Sequence, residues 1–534
     1  MEGPGTPKGA LGSPRLALLL AAAMFVFVID TSLMNVSISA VVRDLDTTVS
    51  GVQSAVAIEA LVSAAFILIG SKVGDLAGRK RAYALGLLLY ASGAVAMILA
   101  QSLAPVIIFW AVVGGLGASL YLPAMQSLIH GNFAGPAQSK AYALVGASAA
   151  IAAAIGPLLG GFLTTYLSWR VGFMLEGIVI AVVLLGSRRL LRDVPYTGDR
   201  GVDYVGSALS VVGMGGLVLG ILAWQEGGEY VIALLAGGLV AMVAFIRWLV
   251  RRRRRGLPAL LDPTLFRRRL FAFGITQGIL QQVALGGLLI VLPIYLQMVL
   301  GYNAMEAGLA LAPLSLTMFA VALVAGKRAG RRRPSSLVRA GFLVATVAVA
   351  LLISIVPDTQ TGWSLALPLI LAGAGLGVLV SQLNNYTLAP IEEESVGEAA
   401  GVNSATGSFG LSIGLAFAGA VMLATLSAAF TGMAQSSDVL TPAQQERVAD
   451  VLEDDAQVMS DAQLTALLDE QTPAVRDEIL RINGEARPLA LQAGLVVPLL
   501  AALAGFLTSF RMMRLPDPAP LTAPAGAASA RPDP

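Results

Sequence analysis

Roughly fourteen times along this chain, about 20 residues pass with scarcely a charged side chain. The stretches lie near 16–42, 50–70, 82–101, 105–129, 141–165, 171–188, 204–224, 230–250, 270–300, 305–326, 337–356, 363–389, 399–430 and 488–511. As α-helices, runs of this length match the hydrocarbon thickness of a bilayer. The chain therefore reads as an all-α integral membrane protein. With 13% charged residues against 56% hydrophobic over 534 residues, it has too little charge to cover a soluble protein of that size. It has no cysteine, so neither a disulfide framework nor thiolate chemistry is open to it.

Basic residues fall on alternate connections. With a cytoplasmic N-terminus, the cytoplasmic connections carry Lys72, Arg79, Lys80 and Arg81, then Lys140, then Arg188, Arg189 and Arg192. The run Arg251 to Arg255, Arg267 to Arg269, and Lys327, Arg328 and Arg331 to Arg333 follow. The short opposite connections hold little beyond Arg43 and Arg170, which satisfies the positive-inside rule and predicts two cytoplasmic termini. The acidic run Glu392 to Glu394 weighs little in such a count, and the four arginines of the long last connection lie in a segment that translocates regardless of charge. The first apolar run is too long for a cleaved signal peptide, and the Pro- and Ala-rich tail is expected to be disordered.

Three carboxyl groups fall inside apolar spans: Asp30 in span one, Glu59 in span two and Glu176 in span six. An ionised acid is expensive there, and no Lys or Arg lies at comparable depth to neutralise it. Such groups are candidates to exchange protons during a functional cycle. Polar amides form a second set: Gln277 and Gln281 share a helix face in span nine, Asn384 and Asn385 lie in span twelve, Asn403 near the start of thirteen and Asn35 in span one. Facing lipid is unfavourable for them, so cavity lining and bonding between helices are the two readings.

Glycine patterns mark two further places. Gly70 to Arg81 follows span two, and a similar glycine-rich basic turn from Gly326 to Arg333 follows span ten, a faint repeat relating spans one to six and nine to fourteen. In span five, Gly156 and Gly160 fall on one face with Gly161 beside them and Pro157 between, a surface suited to close helix contact.

On these residues the chain resembles the major facilitator superfamily. Gly74, Asp75, Gly78, Arg79 and Lys80 look like its cytoplasmic signature, Gly-x-Leu-x-Asp-x-x-Gly-Arg-Lys, with Ser71 and Val73 in place of its first glycine and its leucine. Gly156, Pro157, Gly160 and Gly161 look like its antiporter signature. Asp30, Ser32 and Asn35 resemble the Asp-x-Thr-x-x-Asn element of the fourteen-span drug:proton antiporter branch, and Gly401 to Asn403 with Gly407, Gly410 and Gly414 resemble its span thirteen. One departure stands out. Ala111 occupies the position, before Gly115-Leu116-Gly117, where that family presents an intramembrane arginine, and Glu59 and Glu176 match none of the motifs.

The resemblance implies two six-helix bundles with two inserted helices. The expected boundaries are an N-terminal tail 1–15, a first bundle 16–190, inserted helices seven and eight within 191–269, a second bundle 270–514 and a tail 515–534. The second bundle includes an acidic external connection, 431–487, where Thr441-Pro442-Ala443-Gln444, Ser460-Asp461-Ala462-Gln463 and Thr472-Pro473 predict short amphipathic helices. The resemblance further implies proton-coupled export of hydrophobic small molecules, cationic ones included, across a bacterial plasma membrane. The signature after span two would gate the cytoplasmic side. Protons, substrate and membrane lipids are the expected partners. A lipid or metabolite exporter, a proton symporter and a non-transporting scaffold or sensor are the alternatives. The chain has no phosphate-binding loop for ATP, no metal-ligand cluster and no nucleophile–base pair, so neither a cofactor nor an enzyme activity is expected, and the basic runs beside spans fit anionic lipid better than nucleic acid.

Overall fold

The computed structural model describes residues 13–133, 135–193, 201–225, 228–327, 333–358, 361–391, 396–442, 445 and 472–515. Among them, fourteen helices are long and apolar enough to cross a membrane. The first six are α1 Pro14–Asp44, α2 Val49–Ala77, α3 Arg79–Leu99, α4 Leu103–Asn132, α5 Lys140–Tyr166 and α6 Trp169–Leu190. Then come α7 Tyr204–Trp224 and α8 Val231–Arg254. The last six are α9 Arg269–Met298, α10 Ala304–Gly326, α11 Pro334–Ile355, α12 Gly362–Leu388, α13 Glu398–Gln435 and α14 Pro473–Met512.

Local signals set the helix starts. Ser13 accepts from the Leu16 N–H at 3.3 Å ahead of Pro14 in the first turn, and Thr48 accepts from the Gly51 N–H at 3.1 Å. These oxygens satisfy amides that the first turn of a helix leaves unpaired. Short connections then force neighbouring helices antiparallel, which gathers most of the arginines and lysines at one end of the molecule, here called the basic end, and leaves the other as the far end.

α1 to α6 pack on one another as one bundle, and α9 to α14 as a second. The two meet chiefly where α2 lies against α13 and α5 against α10. At the far end, Ser39 of α1 donates to Gln297 of α9, and Thr165 Oγ1 of α5 accepts from the Met305 N–H of α10 at 3.0 Å. Ser412 of α13 donates to the Ala57 carbonyl of α2 at 2.8 Å. α7 and α8 pair with each other and lean on α2 and α13 through α7.

The last connection differs from its expected form. α13 continues to Gln435, a little past its expected end, and α14 begins at Pro473 rather than near 488, well inside the segment expected to lie outside the spans. Thr472 does precede a helix, but that helix runs unbroken through Pro488 into the membrane span. Arg487, read from sequence as a loop residue, is consequently buried in this helix and donates to the Met298 carbonyl at 2.6 Å. The motif at 460–463, the tails 1–12 and 516–534, Glu392 to Glu394 and Arg328 to Arg332 lie outside the described residues.

Candidate functional site

Glycines build the site by bringing α3 and α4 together. A Cβ at Gly86 would lie 2.7 Å from the Tyr121 N, and one at Gly117 would lie 2.7 Å from the Tyr90 N. Only hydrogen fits at that crossing, and the close approach stacks Tyr90 and Tyr121 edge to face with ring centroids 5.6 Å apart. Phe27 of α1 and Tyr83 of α3 pack edge-on or tilted against the same pair. Lower in α4, Val106–Gly114 adopts a π-helical turn that carries Trp110. Such turns alter side-chain register within an otherwise α-helical span.

Asp30 of α1 is 2% exposed and sits between these helices. Tyr90 Oη donates to its Oδ2 at 2.5 Å, and Trp110 Nε1 donates to both carboxyl oxygens at 3.1 Å. Glu59 of α2 and Glu176 of α6 are likewise buried. Asp30 lies within electrostatic reach of both, and they of each other. Tyr90 and Tyr121 stand in the field of all three acids. The residues that sequence alone marked on three separate spans therefore form one acidic cluster inside the first bundle. Among the described residues no ion pair reaches any of them.

Glu59 is the least satisfied of the three. Its Oε1 is buried without a hydrogen-bond partner among the described residues, and so is the Oγ of Ser63 one turn along α2. Native proteins rarely leave such atoms unpaired without water, an ion or a functional reason. Asn35, one further turn along α1 from Asp30, is 2% exposed with both amide atoms unpaired among the described residues.

A fourth buried acid, Asp203 before α7, makes the opposite case. Its carboxylate accepts from the Gly206 N–H and Trp248 Nε1 at 2.9 Å and from the Leu260 N–H at 3.2 Å, with Arg252 at 3.8 Å. Such a carboxylate is a structural tie between α7, α8 and the linker after it.

The amides of the second bundle form separate local bonds rather than one cluster. Gln277 is fully buried and donates to Thr508 Oγ1 of α14 at 2.8 Å. Gln281 donates to Gln282 Oε1 at 3.0 Å, and Asn403 donates to the exposed Asn384 Oδ1 at 3.1 Å across α12 and α13. The Asn385 side chain lies outside the described residues.

The turn between α2 and α3 is held within the first bundle. Arg79 meets Asp75 at 3.2 Å, four residues back, and Gly78 takes φ +99°, a conformation that favours glycine. Lys80 Nζ donates to the carbonyls of Arg188 and Leu191 at 2.9 and 2.8 Å, capping the end of α6, while its N–H donates to Asp193. Gly74 faces Ala82 in ordinary contact. In α5, a Cβ at Gly156 would overlap Ser32, and one at Gly160 would lie 2.9 Å from Leu33 Cα, both of α1. A Cβ at Gly161 would overlap the Ala304 carbonyl, and one at Gly308 the Pro157 carbonyl. This stretch of α5 is thus pressed between α1 and α10, one helix from each bundle.

Sequence reasoning missed Tyr90, Trp110, Tyr121 and Asp203. Tyr90 and Tyr121 carried one readable hint, since each lies four residues from a glycine at the crossing.

Comparison with known proteins matches residues 20–415 to the family described as the Major Facilitator Superfamily. A puromycin resistance protein of Streptomyces alboniger is 32% identical over 411 residues, 75% of this chain and 80% of that protein. A probable actinorhodin transporter of Streptomyces coelicolor is 26% identical over 445 residues, 80% of this chain and 77% of that protein. Among solved structures, a bacterial homologue of the human lysosomal transporter Spinster, inward-facing and unoccupied, aligns with a TM-score of 0.63 at 15% identity, covering 94% of this chain and 98% of that one. At that identity the likeness speaks for the fold.

Proposed function

The chain belongs to the major facilitator superfamily of membrane transporters, and from that membership we propose that it exports hydrophobic small molecules, cationic ones included, in exchange for protons. Relatives named for drug and antibiotic resistance or export support the substrate class. The observation that carries proton coupling is the cluster of Asp30, Glu59 and Glu176: three buried carboxyl groups in mutual electrostatic reach, met by no described cation, with neutral donors at Asp30 alone among the described hydrogen bonds.

Three negative charges sharing one apolar interior without a cation are costly and repel one another, so the cluster is assigned protons in its resting state. A bound lipophilic cation supplies the missing positive charge and displaces a proton. Substrate and proton then exclude one another at one site, which is the condition for exchange. Tyr90 and Trp110 hold the Asp30 carboxyl in place and stabilise its charged form during the exchange. Asn35, one turn away with its amide unpaired, is the side chain we assign to substrate contact, with Asn384, Asn385, Asn403 and Gln281 of the second bundle as further candidates. Gln277, committed to Thr508, acts as a tie between α9 and α14.

The positive-inside rule puts the basic end and both termini in the cytoplasm of a bacterial cell. Substrate then enters from the basic end, and alternating access proceeds by rocking of one bundle on the other. The glycine stretch of α5 is where α1 and α10 meet across that motion, and the turn of Gly74, Asp75, Gly78, Arg79 and Lys80 stiffens the cytoplasmic end of the first bundle.

The test is proton release from purified, detergent-solubilised protein on addition of lipophilic cations such as tetraphenylphosphonium. Release in the wild type that is lost in Glu59→Gln or Glu176→Gln supports the proposal. Release that persists in Asp30→Asn combined with both of these substitutions would overturn it.

A further inference from the structure

On the inserted pair, an open groove of about 560 Å³ runs along α8, with Leu209 of α7 at its side. Val240, Val243, Arg247 and Arg251 line it and recur at helical spacing along α8, so one face of the helix grades from aliphatic to cationic as it nears the basic end. From Val240 to Arg251 that face runs about 16 Å at the rise of an α-helix. Leu209 of α7 forms the opposing wall.

The arginines of this segment fall into two classes. Arg252 and Arg253, which do not line the groove, meet Asp203 at 3.8 Å and Asp262 at 3.0 Å. Arg247 and Arg251, which line it, are exposed and form no hydrogen bond or ion pair among the described residues. Protein carboxylates are thus matched to the neighbouring arginines and withheld from the two at the groove. Trp248, between them in sequence, donates its indole N–H to Asp203, which fixes α8 against the segment preceding α7 and keeps the groove in shape.

We propose that this groove is a binding site for an anionic phospholipid of the leaflet at the basic end, its phosphate held by Arg247 and Arg251 and an acyl chain laid along Leu209, Val240 and Val243. Both halves of an amphiphile are matched here, in the order in which a lipid of that leaflet presents them, and the side chains concerned lie outside the acidic cluster. The occupant therefore bears on the placement of the inserted pair rather than on proton exchange.

Native mass spectrometry of the detergent-solubilised full chain, titrated with phosphatidylglycerol or phosphatidylcholine of identical chains, tests the site. A basic side chain at an anionic lipid surface contributes about 1 kcal/mol, or roughly fivefold in affinity. Arg247→Gln with Arg251→Gln should then weaken phosphatidylglycerol binding roughly 25-fold and leave phosphatidylcholine unaffected. Arg254→Gln with Arg255→Gln, exposed residues off the groove, should have little effect. Val243→Trp, which fills the apolar part while keeping both arginines, should also weaken the lipid, and inorganic phosphate at matched concentration should not compete. Equal losses from the two arginine pairs would reduce the site to diffuse surface charge and overturn the proposal, as would full binding in Val243→Trp or competition by inorganic phosphate. Circular dichroism of each variant before lipid addition separates lost binding from lost folding.

Discussion

The two bundles bury different polar chemistry. Among the described residues, every buried carboxyl group outside the inserted segment lies in the first bundle, as Asp30, Glu59 and Glu176; the second buries amides, hydroxyls and Arg487. The partners differ as well. The second bundle's amides bond mostly to one another or to hydroxyls across helices, as Gln277 does to Thr508 and Asn403 to Asn384. In the first, Glu59 keeps an oxygen unpaired, and Asn35 both amide atoms, among the described residues; Gln277 Oε1 and Gln297 Nε2 of the second are unpaired too, so it is the unpaired carboxyl that sets the first bundle apart. A neutral amide paired to a neighbour can be left alone through a transport cycle, whereas a cluster of acids in apolar surroundings must be neutralised from outside. On the proposed reading, that difference divides ion chemistry and adaptable contact between the halves.

The sharpest way to break that division is to neutralise the acids. Asp30→Asn, Glu59→Gln and Glu176→Gln together should lower substrate efflux driven by an imposed pH gradient in proteoliposomes by about 100-fold or more, since a proton-exchange step loses all its groups. Substituting Gln281, Asn384 and Asn403 by alanine together should weaken substrate affinity but leave the protons exchanged per substrate unchanged. Equal collapse in both sets would remove the distinction between the halves.

The next largest effect is expected where the halves touch. Leucine at Gly161 or Gly308 would drive a side chain into the backbone of the facing helix, α10 or α5, and overpacking of this kind costs about 1 to 3 kcal/mol. We expect Gly308→Leu to lower the unfolding temperature and cut transport roughly tenfold or more, because strain of that size is relieved only by separating α5 from α10. Leucine at Gly146, where nothing lies within 4 Å, should do neither.

Much of this was legible in the chain. All fourteen spans follow from apolar length, and the three acids stand out because charge is so rare within those spans. What could not be read was their convergence. Nothing near Glu59 or Glu176 in sequence says that α2 and α6 aim them at the same interior, because that depends on how α3 and α4 cross, and the crossing depends on Gly86 and Gly117 meeting in space. Trp110 was hidden for another reason: a π-helical turn shifts its register relative to an ideal helix. The start of α14 was misplaced because apolar content begins at Pro488, whereas the helix begins fifteen residues earlier at a Thr-Pro pair and is held by contacts such as Arg487 with Met298. Asp203 escaped notice since its role is written in the partners that fold around it.

Within the first bundle, Tyr90→Phe sharpens the comparison by removing one donor without touching charge. A hydrogen bond to a charged group is worth about 1.5 to 3 kcal/mol, so if Tyr90 supports the Asp30 carboxylate during exchange, gradient-driven efflux should fall by roughly tenfold or more. Binding of a neutral substrate analogue, which needs no carboxylate, should hardly change. A loss in both assays would mark Tyr90 as packing for α3 and α4 alone.

The smallest expected effect on transport is at Asp203, and for that reason it is the most discriminating. Like the acids of the cluster it is a buried carboxyl group, so burial by itself predicts the same outcome for all four. Its partners predict otherwise: two backbone N–H groups, an indole and a guanidinium already satisfy it, and no step of exchange needs it to give up or take a proton. Asp203→Asn keeps the shape but offers one oxygen where two accepted bonds, and breaking a buried charged network of this kind costs about 3 kcal/mol. The unfolding temperature of the purified protein should therefore drop, while the protons exchanged per substrate, measured on the protein that remains folded, stay unchanged. A shift in that ratio would mean that buried acids are coupled to transport wherever they lie, and the contrast between satisfied and unsatisfied carboxyl groups would no longer separate scaffold from chemistry.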